Sequence, residues 1–201
     1  MPSELDAVVA IESVLGTGTG SVVDFSNFGI TVVLEMLNAG GSQGECILTV
    51  AHGFDSAQKN GLIAAIQYTD GSRLENAAFQ LWPNRDLALH PLTTDLPKDV
   101  SPIPVAKGNG KVTRGQQVYV LTRDAENAVQ VAPQAVSGDI WSPYSPGGRD
   151  KFIAEVQKPL LNQAGQSGSL VVDTELEQAI GVFKSTIGFD PRLKEVENLL
   201  K

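Results

Sequence analysis

The run Gly165-Gln166-Ser167-Gly168-Ser169, leading into the apolar segment Leu170-Val171-Val172, sets a serine among glycines in a tight turn. Glycines reach backbone conformations that other residues resist, and they leave room for a carbonyl to approach neighbouring N–H groups. A serine hydroxyl is a weak nucleophile until a base takes its proton. The chain has only two histidines, His52 and His90. His52 ends the apolar run Leu48-Thr49-Val50-Ala51, a setting that holds an imidazole rigidly at the end of a strand. His90, in Leu89-His90-Pro91, has no comparable setting and reads as a surface or structural residue. An imidazole base works best when a carboxylate holds its other ring nitrogen and stabilises the imidazolium. Asp86 opens Asp86-Leu87-Ala88-Leu89, where a buried strand shields the acid, while Asp55, Asp70 and Asp95 stand in polar or turn contexts. Alone, His52 would read as a satisfied core histidine and Asp86 as a strand-end cap. With Ser167 they make a set suited to acyl transfer.

The elements that must position these residues are strands. Twenty glycines and 11 prolines punctuate many short runs rich in Val, Ile and Thr, and 42% apolar content is enough to build a core. Strands are expected at Val8 to Val14, Ser21 to Asp24, Ile30 to Leu37, Cys46 to Val50, Leu62 to Tyr68, Ala77 to Trp82 and Leu87 to Leu89. A second set runs Gln117 to Leu121, Val129 to Val136, Phe152 to Val156, Ser169 to Val172 and Ala179 to Phe183. Gly16-Thr17-Gly18-Thr19-Gly20 reads as a turn; no Gly-Lys-Ser/Thr follows it, which argues against a phosphate loop. The series suits two small barrels better than one sandwich. Pro91 to Val100 is the expected crossing between them, and Trp141 to Asp150 an exposed loop. Asp190-Pro191, followed by Leu193, Val196 and Leu200 at helical spacing, predicts a short C-terminal helix over 190–201 packed on the second barrel.

The order His, Asp, Ser, with the first two in the first half of the chain and the third in the second, is that of chymotrypsin-like enzymes. Leu48-Thr49-Val50-Ala51-His52 resembles the Thr-Ala-Ala-His block of that family, Asp86-Leu87-Ala88-Leu89 its Asp-Ile-Ala-Leu block, and Gly165 to Ser169 its Gly-Asp-Ser-Gly-Gly block. From about Gly16 to Thr186 the chain is similar to trypsin-like serine peptidases of the bacterial HtrA kind. The resemblance implies an all-β chymotrypsin fold of two six-stranded antiparallel barrels, about 1–90 and 101–188, in one peptidase domain spanning 1–201. It implies a serine endopeptidase with the catalytic triad His52, Asp86 and Ser167 and an acyl-enzyme intermediate. The turn Gly165, Gln166, Ser167 would form the oxyanion hole, with the N–H groups of Gly165 and Ser167 as donors.

Gln166 stands where digestive members carry an aspartate that pairs with a newly cut N-terminus, and an amide makes no such ion pair. Activity independent of N-terminal cleavage is therefore expected. Ser169 replaces the second glycine of the block. Counting back from Ser167, uncharged Leu161 falls at the base of the primary substrate pocket, which argues against a preference for Lys or Arg. Phe183, Lys184, Ser185 and Thr186 would form the pocket wall, where Lys184 would favour acidic residues if turned inward; a strand lysine more often faces solvent.

A net charge of −8 argues against nucleic acid as a partner. Cys46 is the only cysteine, so neither an internal disulfide nor a paired-cysteine metal site can form, which fits a reducing compartment. No stretch of about 18 apolar residues and no basic leader segment are present, so the sequence reads as soluble, cytoplasmic and without a membrane partner. The expected partners are a protein or peptide substrate and a regulatory domain or protein; no metal or cofactor is called for. The competing reading is a catalytically silent or partner-activated peptide-binding module of the same fold within a larger assembly.

Overall fold

The computed structural model describes residues 5–26, 44–54, 62–81, 85–93, 95–106, 112–123, 128–139, 151–156, 165–174, 178–186 and 193–199. The first sheet comprises β1 (Val8–Ser13), β2 (Gly16–Asp24), β3 (Glu45–Val50), β4 (Leu62–Gln67), β5 (Arg73–Leu81), β6 (Leu87–Pro91) and β7 (Ile103–Pro104). Its order is β1-β4-β5-β6-β3-β2-β7, and an additional β1–β2 pairing returns the sheet to its first strand. The second sheet is a closed barrel of β8 (Gln117–Arg123), β9 (Val129–Asp139), β10 (Lys151–Val156), β11 (Leu170–Asp173), β12 (Ala179–Thr186) and β13 (Leu193–Asn198), in the order β10-β13-β12-β11-β8-β9. This is the double-barrel, all-β architecture of the chymotrypsin fold.

Burial separates the strands by position. β4 alternates buried and half-buried residues along Leu62–Gln67, as a strand with one wet face must. β3 and β6 read as nearly continuous apolar runs because they are covered on both sides: Ile47, Leu48, Leu87 and Ala88 share one hydrophobic cluster with Leu121, Leu170 and Val182 of the second sheet and with Leu199 just after β13. A smaller cluster, including Val118, Val120, Val171, Ile180 and Val196, belongs to the second barrel. The site residues therefore project from a packed seam between the two sheets.

Three expectations change. The C-terminal helix is absent from the described part of 190–201: residues 193–198 form β13, paired with β10 through Phe152–Val196 and with β12 through Phe183–Val196. A helix this short is marginal in isolation. The place between β10 and β12 offers the segment a ladder partner on both sides, and it buries Val196 and Glu197. Gly16 to Gly20 is not a turn but the first half of β2; the turn lies before it at Val14 and Leu15. The first sheet has seven strands rather than six and is not wholly antiparallel: after the crossing, β7 returns to it and adds to β2 in parallel through Val23–Ile103, a pairing too short to leave a sequence pattern. The expected strand at Ile30 to Leu37 and the loop at Trp141 to Asp150 lie outside the described residues.

Candidate active site

β3 delivers His52. After Val50 the chain makes a single 3₁₀ turn over Ala51–Gly53 that carries the imidazole off the sheet. β6 runs beside β3, pairing Val50 with Leu87, so Asp86 just before β6 arrives next to the turn. The Ala51 N–H donates to the Asp86 carbonyl at 3.2 Å. The carboxylate then holds His52 twice: Oδ1 accepts the His52 backbone N–H at 2.8 Å, and Oδ2 accepts Nδ1–H at 2.6 Å. With Nδ1 carrying a proton, Nε2 of the neutral ring is left as the acceptor, the state a general base requires. Burial pushes the Asp86 carboxyl up, but the hydrogen bond and charge of His52 and the nearby Lys184 ammonium outweigh it and hold the carboxyl below its ordinary value. His90 does nothing comparable: its Nδ1–H donates to Ala78 O at 2.8 Å and its ring packs against Phe79. Asp70 caps its own turn through Ser72, Asp95 is exposed, and Asp55 lies outside the described residues.

The serine turn comes from the second barrel. Gly165 and Gly168 have φ of +100° and +92°, the region glycine favours. Gly168 also has no room for a side chain, since a Cβ there would lie 1.9 Å from Thr19 O and 2.4 Å from Thr49 Oγ1. The glycine-rich half of β2 is the other side of this approach. Thr19 N–H donates to Ser167 O at 3.1 Å and the Thr19 hydroxyl to Gly165 O at 2.7 Å, while Thr49 Oγ1 on β3 donates to Thr19 O at 2.7 Å. β2, β3 and the turn are thus sewn together, and the thread runs from β3, which leads into His52, to the serine. Neither Thr19 nor Thr49 stands out in the sequence; a threonine between glycines, or inside an apolar strand, leaves no signal of its own.

Inside the turn, Gln166 O accepts from both Ser169 N–H at 3.1 Å and Ser169 Oγ–H at 2.5 Å. Ser169 is fully buried, and its Oγ lies 2.7 Å from Thr122 Oγ1, so the serine in place of a second glycine acts as a tie. Across a trans peptide, the N–H points away from the C=O. Anchoring Gln166 O therefore turns the Ser167 N–H to the opposite side. The Ser167 hydroxyl donates to Lys184 O at 2.9 Å.

His52 and Ser167 line one cleft of about 200 Å³, together with Gly165, Thr17, Leu15 and Phe54. Lys184 on β12 departs from the expected solvent-facing position. Its side chain is 11% exposed, with Nζ 3.6 Å from Asp86 Oδ2 and 3.6 Å from Glu197 Oε2. Ser185 and Thr186 continue β12, paired with Glu195 and Lys194. Leu161 lies outside the described residues. Cys46 is a buried free thiol, pushed up by burial. Among the described residues, no three His, Cys, Asp or Glu side chains are grouped to hold a metal ion, and no helix is long and apolar enough to cross a membrane.

Among solved structures, the chain is similar to the active form of the Rv3671c protease from M. tuberculosis, with a TM-score of 0.68 and 18% identity over 98% of this chain and 78% of that one. The inactive form of the same protease matches with a TM-score of 0.66, covering 98% of this chain and 86% of that one at 18% identity. Deg5 matches with a TM-score of 0.63 and 20% identity, covering 96% of this chain and 84% of that one. The MamO protease domain from Magnetospirillum magneticum gives 0.63 and 16% over 97% of this chain and 92% of that one. At these identities the likeness is one of fold. No curated protein matches the sequence. The sequence model of the trypsin-like peptidase domain matches residues 29–182, a span that includes His52, Asp86 and Ser167, and the chain belongs to the trypsin-like peptidase family.

Proposed function

We propose that the chain is a serine endopeptidase acting on protein or peptide substrates, in which His52, Asp86 and Ser167 form the triad and residues 1–201 act as one peptidase unit. The observation that carries this reading is the 2.6 Å His52–Asp86 hydrogen bond at the mouth of a cleft that Ser167 also lines. In the reaction, the Ser167 hydroxyl leaves Lys184 O and turns to His52 Nε2, which takes its proton as Oγ attacks the scissile carbonyl. The imidazolium is stabilised by Asp86 and returns the proton to the leaving amine. Water activated by His52 then hydrolyses the acyl-enzyme. The charge that develops on the carbonyl oxygen is met by the Ser167 N–H, whose direction is set by the Gln166 anchor, and by Gly165 N–H. Each such donor contributes about 3 kcal/mol in the transition state. Lys184, Ser185 and Thr186 supply backbone along which a substrate strand pairs.

One observation favours a second reading, a silent or partner-activated module of the same fold: the Ser167 hydroxyl is engaged by Lys184 O at 2.9 Å. A fluorophosphonate probe separates the two. Labelling that maps to Ser167, is lost in Ser167→Ala and is accompanied by peptide hydrolysis is the expected result. A folded wild-type protein that the probe does not label would overturn the peptidase reading for the isolated chain.

A further inference from the structure

Lys184 touches both halves of the site. Its carbonyl accepts the Ser167 hydroxyl, and its ammonium lies 3.6 Å from the same Asp86 oxygen that holds His52 Nδ1. A lysine with an 11% exposed side chain on a strand is not a solubilising residue. Among the described residues its counter-charges are Asp86, and Glu197 on β13, which is almost fully buried. Glu197 is shared in turn, since Arg85 Nη1, on the residue next to Asp86, lies 3.7 Å from its other oxygen. Among the described residues the charged or titratable groups around this cluster are thus Asp86 and Arg85 ahead of β6, His52 on the 3₁₀ turn, and Glu197 on β13. Carboxylate, ammonium and carboxylate alternate from Asp86 to the last strand of the barrel.

We infer that Lys184 is a positioning residue that sets, through Asp86, the pH range in which His52 works as a base, and that Glu197 on β13 sets how strongly it does so. The inference rests on the triad reading above. A carboxylate favours an imidazolium in proportion to the negative potential it places at the ring. A cation 3.6 Å from Oδ2 subtracts from that potential. Glu197 draws the ammonium the other way and restores part of the potential, while Arg85 limits how much of Glu197 is available to Lys184. The two charges flanking Asp86 on this side must then act with opposite signs. Simple loosening of a packed strand would give no such pattern.

The test uses the full chain and two readouts. One is the acid limb of kcat/KM against pH. The other is the NMR titration of the His52 Cε1 proton, easily assigned in a protein with two histidines by comparison with His90→Gln. Lys184→Met is expected to move both curves to higher pH by about one unit, and Glu197→Gln to move both to lower pH by a smaller amount. Lys184→Arg, which keeps the charge, returns the curves toward wild type. If Lys184→Met does not fold, the arginine variant and Glu197→Gln carry the test, the latter through the sign of its shift. Curves that stay in place, or that move the same way in Lys184→Met and Glu197→Gln, overturn the inference. Opposite NMR shifts in a chain that hydrolyses no peptide would uphold the electrostatic coupling and count against the peptidase reading instead.

Discussion

On the first sheet, His52 is clamped by one carboxylate that accepts from both its backbone and its ring, at 2.8 and 2.6 Å. On the second barrel, Ser167 is placed by its backbone: Thr19 N–H on its carbonyl, Gly168 N–H donating to Phe183 O, and Gln166 O tied down by Ser169, while its own hydroxyl rests on Lys184 O. The histidine half is therefore assembled by side-chain charge, with the Asp86 carboxylate fixing the proton on Nδ1. The serine half is assembled by the path of the chain, and its hydroxyl rests on a backbone carbonyl of its own barrel. Because different interactions hold the two halves, substitutions should fail in different ways.

The largest effect is expected on the charged half. In Asp86→Asn the amide can keep the shape of the contact but presents an N–H where Nδ1–H needs an acceptor, which favours the wrong tautomer and removes the stabilising charge. Loss of tautomer control in such a triad lowers kcat by about four orders of magnitude. Steady-state hydrolysis should show that drop, with the melting temperature changed far less. On the backbone half the order reverses. Gly168→Ala places a Cβ 1.9 Å from Thr19 O at a φ of +92°, so either the turn or β2 must move. A cost of about 3 kcal/mol or more in folding stability is expected. Chemical denaturation should detect it before any assay of activity does. An Ala variant as stable as wild type would mean that the turn is not clasped by β2.

The same contrast explains what could be read from the sequence. Ser167, His52 and Asp86 stood out as candidates because each combines a chemically capable side chain with a distinctive neighbour pattern, and because their order along the chain is informative. The core strands were legible as Val- and Leu-rich runs for the same reason that they sit in the seam, covered on both faces. The glycines of β2 were misread because a glycine needed for close approach to another segment looks, in one dimension, like a glycine needed for a turn. Only the proximity of Gly18 and Thr19 to Ser167 distinguishes the two. β13 was misread because its last apolar residues fit a helical period, whereas its fate was decided by the vacant edge between β10 and β12. Lys184 was given the orientation that strand lysines usually take, since nothing local reveals Asp86 and Glu197 waiting on other elements.

The smallest of these effects bears on the seam between the halves. Thr19→Val keeps the shape of a fully buried side chain but removes the hydroxyl that donates to Gly165 O at 2.7 Å, leaving the Thr19 N–H bond to Ser167 O intact. Loss of one buried hydrogen bond costs about 1 kcal/mol, with a further penalty if the carbonyl stays dry. Because the missing donor held the residue two places before the nucleophile, that cost should appear as a drop in kcat of about tenfold, with KM nearly unchanged. Thr49→Val, one link further from the turn, frees Thr19 O instead and should lower kcat by less. If the two variants lose stability equally but leave kcat at its wild-type value, the threonine thread serves the fold alone, and the Ser167 turn keeps its shape without help from the strand that leads to His52.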